Sequence, residues 1–221
     1  VIVARRKPAP PLLAAATGRR TVLVAGCKGC VAVCGVGGER EVRLLAAQLE
    51  LAAKRLGQKR TVLRATVARQ CDPGFLSSFD SLMEQAEACF SLGCGVGVQY
   101  MAERYPAKPV FPAVDTVFAG GSPAAGLWEE RCRMCGECVL GETGGICPVS
   151  RCAKGLLNGP CGGSVNELCE IGHNQPCAWN LIYERLAGQG RLEGLTVITP
   201  PKDWSRAGAG VRSVVREDLM P

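Results

Sequence analysis

Between residues 21 and 114, short apolar runs alternate with longer stretches of helical periodicity. TVLVAG (residues 21–26) is a continuous, mostly β-branched run of the kind that forms a strand buried on both faces. KRTVLRATVA (59–68), CFSLGC (89–94) and PVFPAV (109–114) give three more strands. Between the first two lies EREVRLLAAQLELAAKRLG (39–57). Its apolar positions Val42, Leu45, Leu49, Ala52 and Leu56 recur at three- and four-residue steps, and Gly57 suits a C-terminal cap. A shorter helix is expected over 76–87, and GVQYMAERY (97–105) forms another, stopped before Pro106. This alternation predicts an α/β class, with an N-terminal doubly wound, Rossmann-like parallel sheet over residues 21–120. Residues 1–20, rich in Pro, Ala and Arg, read as an arm outside the core, and 115–126 as a linker. A cysteine-rich C-terminal domain follows over 127–190, where eight cysteines lead to the expectation of an iron–sulfur domain, with an extended tail over 191–221. In AWNLIYERLAGQG (178–190), Trp179, Ile182, Tyr183 and Leu186 fall on one apolar helix face that packs over this region.

Cysteine content changes the picture most. The 221 residues hold 14 cysteines and a single histidine, His173. A chain of this length with no visible export signal is a poor candidate for a disulfide framework, which suits small secreted domains. At its start the apolar VIV is followed by Arg5, Arg6 and Lys7 instead of being preceded by basic residues, so the cytoplasm is the expected compartment. No run approaches a membrane span. The net charge of +6 raises the question of nucleic acid, but the basic residues are scattered and not interleaved with aromatics. Thiolate-bound [4Fe–4S] clusters, each about −2 when oxidised, offset such a charge, so no nucleic-acid partner is expected.

In open α/β sheets, ligands lie beyond the carboxyl ends of the strands. Cys27, Cys71 and Cys94 each fall at such an end, and Cys30 and Cys34 lie in the loop after the first strand. Five thiols from three segments thus converge on one cluster site, and the sequence leaves open which four bind. Gly35-Val36-Gly37-Gly38 raises the rival of a nucleotide cradle, but it lacks the G-x-G-x-x-G spacing. Cys89 opens its strand and reads as a small core residue.

Eight cysteines sit in the 46 residues from Cys132 to Cys177. CRMCGEC supplies Cys132, Cys135 and Cys138, the C-x2-C-x2-C of bacterial ferredoxins, which continue with x3-C-P. Here eight residues separate Cys138 from Cys147-Pro148, so the fourth ligand is either Cys147 or a later cysteine. Cys152, Cys161, Cys169 and Cys177 suit a second cluster, with zinc as its competitor and His173 as a conceivable zinc ligand. No Ser/His/Asp set, paired-carboxylate motif or phosphate loop is visible, so no catalytic residue is assigned.

GCKGCVAVCGVGGEREV, RQCDPGF, LGCGVGVQ, RCRMCGECVLGETGGICPVSRCAKGLLNGPCGGS and CAWNLIYERL resemble the MetV-type small subunit of bacterial methylenetetrahydrofolate reductase. That family is also known as the methylenetetrahydrofolate reductase C-terminal domain. The resemblance implies a non-catalytic subunit of two or three [4Fe–4S] clusters, serving one-carbon metabolism. It would relay electrons from an external donor to the FMN of a MetF-type flavoprotein. Heterodisulfide-reductase-like subunits are further partners the resemblance implies. It places Cys27, Cys30, Cys34, Cys71 and Cys94 in an N-terminal metal set. Cys132, Cys135, Cys138, Cys147, Cys152, Cys161, Cys169 and Cys177 fall in a C-terminal one. The competing expectation is a zinc-stabilised adaptor that holds the flavoprotein and carries no electrons.

Overall fold

A computed structural model describes residues 1–172, 174–208, 210–216 and 218. The chain divides into two compact units, Val1–Trp128 and Glu129–Pro221.

The first unit is built on four parallel strands: β2 (Thr21–Cys27), β3 (Thr61–Val67), β4 (Ala88–Ser91) and β5 (Val110–Pro112), in the order β3-β2-β4-β5. The period-2 alternation of β2 divides the core. Val22 and Val24 pack on one face with Val42, Leu45, Ala46 and Leu49 of α3 (Glu39–Arg55). Leu23 and Ala25 pack on the other. There they meet Leu76 of α4 (Pro73–Leu76), Phe79, Met83 of α5 (Asp80–Gln85) and Met101 of α6 (Gly95–Arg104). Helices therefore cover both faces. Cys89 is fully buried in β4 and belongs to this second core.

Three expectations for this unit change. The N-terminal residues are no arm: β1 (Ile2–Arg6) pairs antiparallel with β6 (Val114–Ala124), and α1 (Ala9–Ala16) follows. Val3, Ala4, Leu12 and Ala16 are buried. Pro10 and Pro11 fall within the first turn of α1, where a missing N–H costs nothing. The expected linker over 115–126 is mostly β6, which is joined by β7 (Leu127–Cys132) in a three-stranded sheet of order β1-β6-β7. In α3 the buried stripe ends on Ala53, and Leu56 is left exposed.

The second unit contains little regular structure. Its core is the face of α8 (Ala178–Gly188), where Trp179, Ile182 and Leu186 pack with Ile146. Cys152, Leu156, Cys177, Leu181 and Leu192 border it, and Trp179 Nε1 donates to the Leu156 carbonyl at 3.1 Å. Tyr183 was expected on this face but is exposed, because a 179/182/186 stripe leaves it 100° round the helix from Ile182. No helix among the described residues is long and apolar enough to cross a membrane.

Candidate metal centres

The strand order of the parallel sheet reverses between β2 and β4, and this is where a doubly wound sheet opens a crevice. Cys27 ends β2, Cys71 follows β3, and Cys94 follows β4 as the residue before α6. Cys30 opens the short helix α2 (Cys30–Val33) directly after β2. Cys71 is at the surface, yet partial desolvation pushes its thiol up, and the neighbouring thiols of Cys94, Cys27 and Cys30 push the same way. The topology puts these four cysteines at the carboxyl edge of the sheet. The Cys34 thiol donates back to the Val31 carbonyl of its own loop at 3.6 Å. Of the five expected thiols, four fall along the edge of this crevice, and Cys34 turns into its own loop.

A residue that the sequence did not single out holds this site. Gln70 is 1% exposed. Its amide nitrogen donates to the carbonyls of Ala25 and Gly26, both at 3.0 Å, next to Cys27. Its oxygen accepts from the Ser91 hydroxyl at 2.6 Å, and that hydroxyl accepts from the Gly93 N–H at 3.1 Å, next to Cys94. One buried side chain thus ties the ends of β2 and β4 to the residue before Cys71. The approach is close enough that a Cβ at Gly93 would stand 2.3 Å from the Gln70 oxygen. At Gly37 a Cβ would stand 2.3 Å from the Leu92 carbonyl, so the cysteine loop is pressed against the end of β4.

The same loop is not a phosphate cradle. The Val36 and Gly37 N–H groups both donate to the Val31 carbonyl, at 2.9 and 3.1 Å, and Gly35 N–H donates to Ala32. Gly38 N–H donates to the Glu41 carboxylate at 3.1 Å. The amides that an anion needs are already engaged within the protein.

In the second unit, Cys132, Cys135, Cys138 and Cys147 line a single cavity of about 200 Å³. Met134, between the first two cysteines, is left-handed (φ 52°), and its N–H donates to Cys132 Sγ at 3.3 Å. The eight residues that separate Cys138 from Cys147 form a closed loop. Gly145 N–H donates to the Leu140 carbonyl at 2.8 Å, and Thr143 Oγ1 donates to Val139 at 2.9 Å. From α8 and beyond, Arg185 donates to the Gly144 carbonyl and Arg191 to that of Gly141. The insert leaves and returns, which brings Cys147 to the cavity of the first three.

The remaining four thiols are less gathered. Cys152 and Cys177 border the α8 core, with Cys177 preceding that helix. Cys169 sits in a hairpin-like turn, and the N–H groups of Gly172 and Ile171 lower its thiol's pKa by stabilising the thiolate. Cys161 accepts from the Gly163 N–H at 3.4 Å and lies 3.7 Å from Glu170, which pairs with Lys154. His173 lies outside the described residues.

The donor chemistry of the two gathered sets fits iron–sulfur clusters. Thiolates are soft ligands, and four of them repel one another unless a polyvalent cationic core sits between them. Burial is the first cause of the upward push on Cys71, and the neighbouring thiols add to it. Among the described residues, no three Cys, His, Asp or Glu side chains gather as the ligands of one metal ion. The cavity in the second unit has room for several atoms, since a water takes about 30 Å³.

Comparison with curated proteins and with solved structures gave no match. A family described as "Methylene-tetrahydrofolate reductase C terminal" matches residues 111–205, just under half of the chain. The matched segment holds all eight cysteines from Cys132 to Cys177 and stops short of the N-terminal set. Over that segment the chain is related to the methylenetetrahydrofolate reductase C-terminal family.

Proposed function

We propose that the protein is an iron–sulfur electron-transfer subunit of a methylenetetrahydrofolate reductase. One [4Fe–4S] cluster would be held by Cys27, Cys30, Cys71 and Cys94, and a second by Cys132, Cys135, Cys138 and Cys147. The observation that supports this reading is that four cysteines fall at one sheet switch point and four line one cavity. Bound clusters supply one-electron transfer, and the protein's part is to hold the thiolates, donate N–H groups to sulfur and limit water access. Cys152, Cys161, Cys169 and Cys177 are the ligands of a third site, for a third cluster or for zinc. The family match supports association with a flavoprotein of the MetF type, whose FMN would receive the electrons. Heterodisulfide-reductase-like subunits are the proposed class of upstream partner, and the cytoplasm is the proposed compartment.

Stopped-flow mixing of the dithionite-reduced chain with its oxidised flavoprotein partner tests the electron-transfer role. The expected result is flavin bleaching coupled to reoxidation of the iron–sulfur absorbance. A chain that binds the flavoprotein and contains zinc but leaves the flavin oxidised would instead be a structural adaptor.

A further inference from the structure

Two cations from the C-terminal segment return to the CRMCGEC loop. The Lys202 side chain is only 3% exposed, and its Nζ donates to the Glu137 carbonyl, between Cys135 and Cys138. Arg212 Nη1 donates to the Met134 carbonyl at 3.1 Å, between Cys132 and Cys135. Lysine is almost never this buried without a partner of opposite charge, because withdrawing an ammonium from water is costly. The opposite charge beside it is incomplete. The Glu137 carboxylate stands 3.8 Å away and is itself 47% exposed. The carbonyl that receives Nζ also accepts from Cys135 Sγ, at 3.4 Å, so ammonium and sulfur share one acceptor. The negative charge that would complete the pairing is that of the thiolates and the core they hold.

We infer that Lys202 fixes a positive charge against the group held by Cys132, Cys135, Cys138 and Cys147, and thereby raises its reduction potential. The inference rests on the iron–sulfur reading of that set. Taking up one electron makes the thiolate-bound core more negative, and a nearby buried cation stabilises the reduced form more than the oxidised one. Arg212 anchors the same loop from the other side of Cys135, where Met134 is held in its left-handed conformation.

EPR-monitored dithionite titration of the full chain, purified without oxygen, tests this with K202Q and K202R. Glutamine keeps a hydrogen-bond donor and loses the charge; arginine keeps both. At equal iron content, one EPR component should shift to more negative potential in K202Q and return toward the parent value in K202R. Unmoved components in K202Q, or an equal shift in both variants, would overturn the inference. Loss of iron from K202Q alone would support it, because the charge separates the two variants. Loss from both would overturn it in favour of a packing role. A parent chain without iron would instead remove the cluster reading itself.

Discussion

Gln70 keeps the three thiol-bearing strand ends together, and its replacement separates packing from chemistry. Gln70→Leu is nearly isosteric but leaves the buried Ser91 hydroxyl without its acceptor and takes a donor from the Ala25 and Gly26 carbonyls, of which Ala25 keeps the Leu92 N–H. Each buried polar group left unsatisfied costs about 1–3 kcal/mol, so urea denaturation should register a loss of at least that order. Iron bound at the sheet edge should fall with it, while iron at the second-unit cavity stays. Cys34 and Cys94 give the complementary contrast. Because the Cys34 thiol turns to Val31 and Cys94 acts on Cys71, Cys34→Ser should keep the parent's iron. Cys94→Ser should lose about four irons per chain, measured by colorimetric assay. The sequence marked all five thiols as equivalent, since spacing alone does not tell which way a sulfur points. Gln70 carried no signal, because a glutamine beside a cysteine resembles any surface residue until the backbone carbonyls around it are known to be buried.

At the level of elements, α5 and α6 are joined by a group of charged and polar side chains. Arg104 donates to the Asp80 carboxylate at 3.0 and 2.7 Å, and the Tyr105 hydroxyl lies 2.7 Å from it. The Arg104 hydrogen bonds, then that of Tyr105, hold the Asp80 carboxyl below the usual carboxylate range. A depressed carboxylate contributes stability that is present above its ordinary pKa and lost as pH falls through the depressed one. Thermal stability of the parent should therefore fall on acidification below about pH 4, and Asp80→Asn should flatten that part of the profile. A variant as acid-sensitive as the parent there would contradict the assignment. The strands of the parallel sheet and α3 were legible because β-branched runs and a 3.6-residue period leave few alternatives. Residues 1–20 and 115–126 were not, because their prolines and glycines suggest linkers. Antiparallel pairing of β1 with β6 depends on partners more than a hundred residues apart. Tyr183 was misplaced for a smaller reason: Ile182 and Tyr183 cannot both sit at the centre of one narrow helix stripe.

On the scale of the whole molecule, each of the two proposed sets of four thiols falls within one unit, the first in Val1–Trp128 and the second in Glu129–Pro221. The net charge of +6 is consistent with this, since two oxidised clusters of about −2 each offset most of it. The C-x2-C-x2-C motif located the second set from sequence. The closure of residues 139–146, which returns Cys147 to the other three, became visible only with the loop's hydrogen bonds. The most direct test of two four-thiol iron centres is the iron and labile sulfide content of the full chain, purified under strict exclusion of oxygen. Two to three clusters predict about eight to twelve of each per chain; about four irons or fewer, or zinc in their place, would contradict the account.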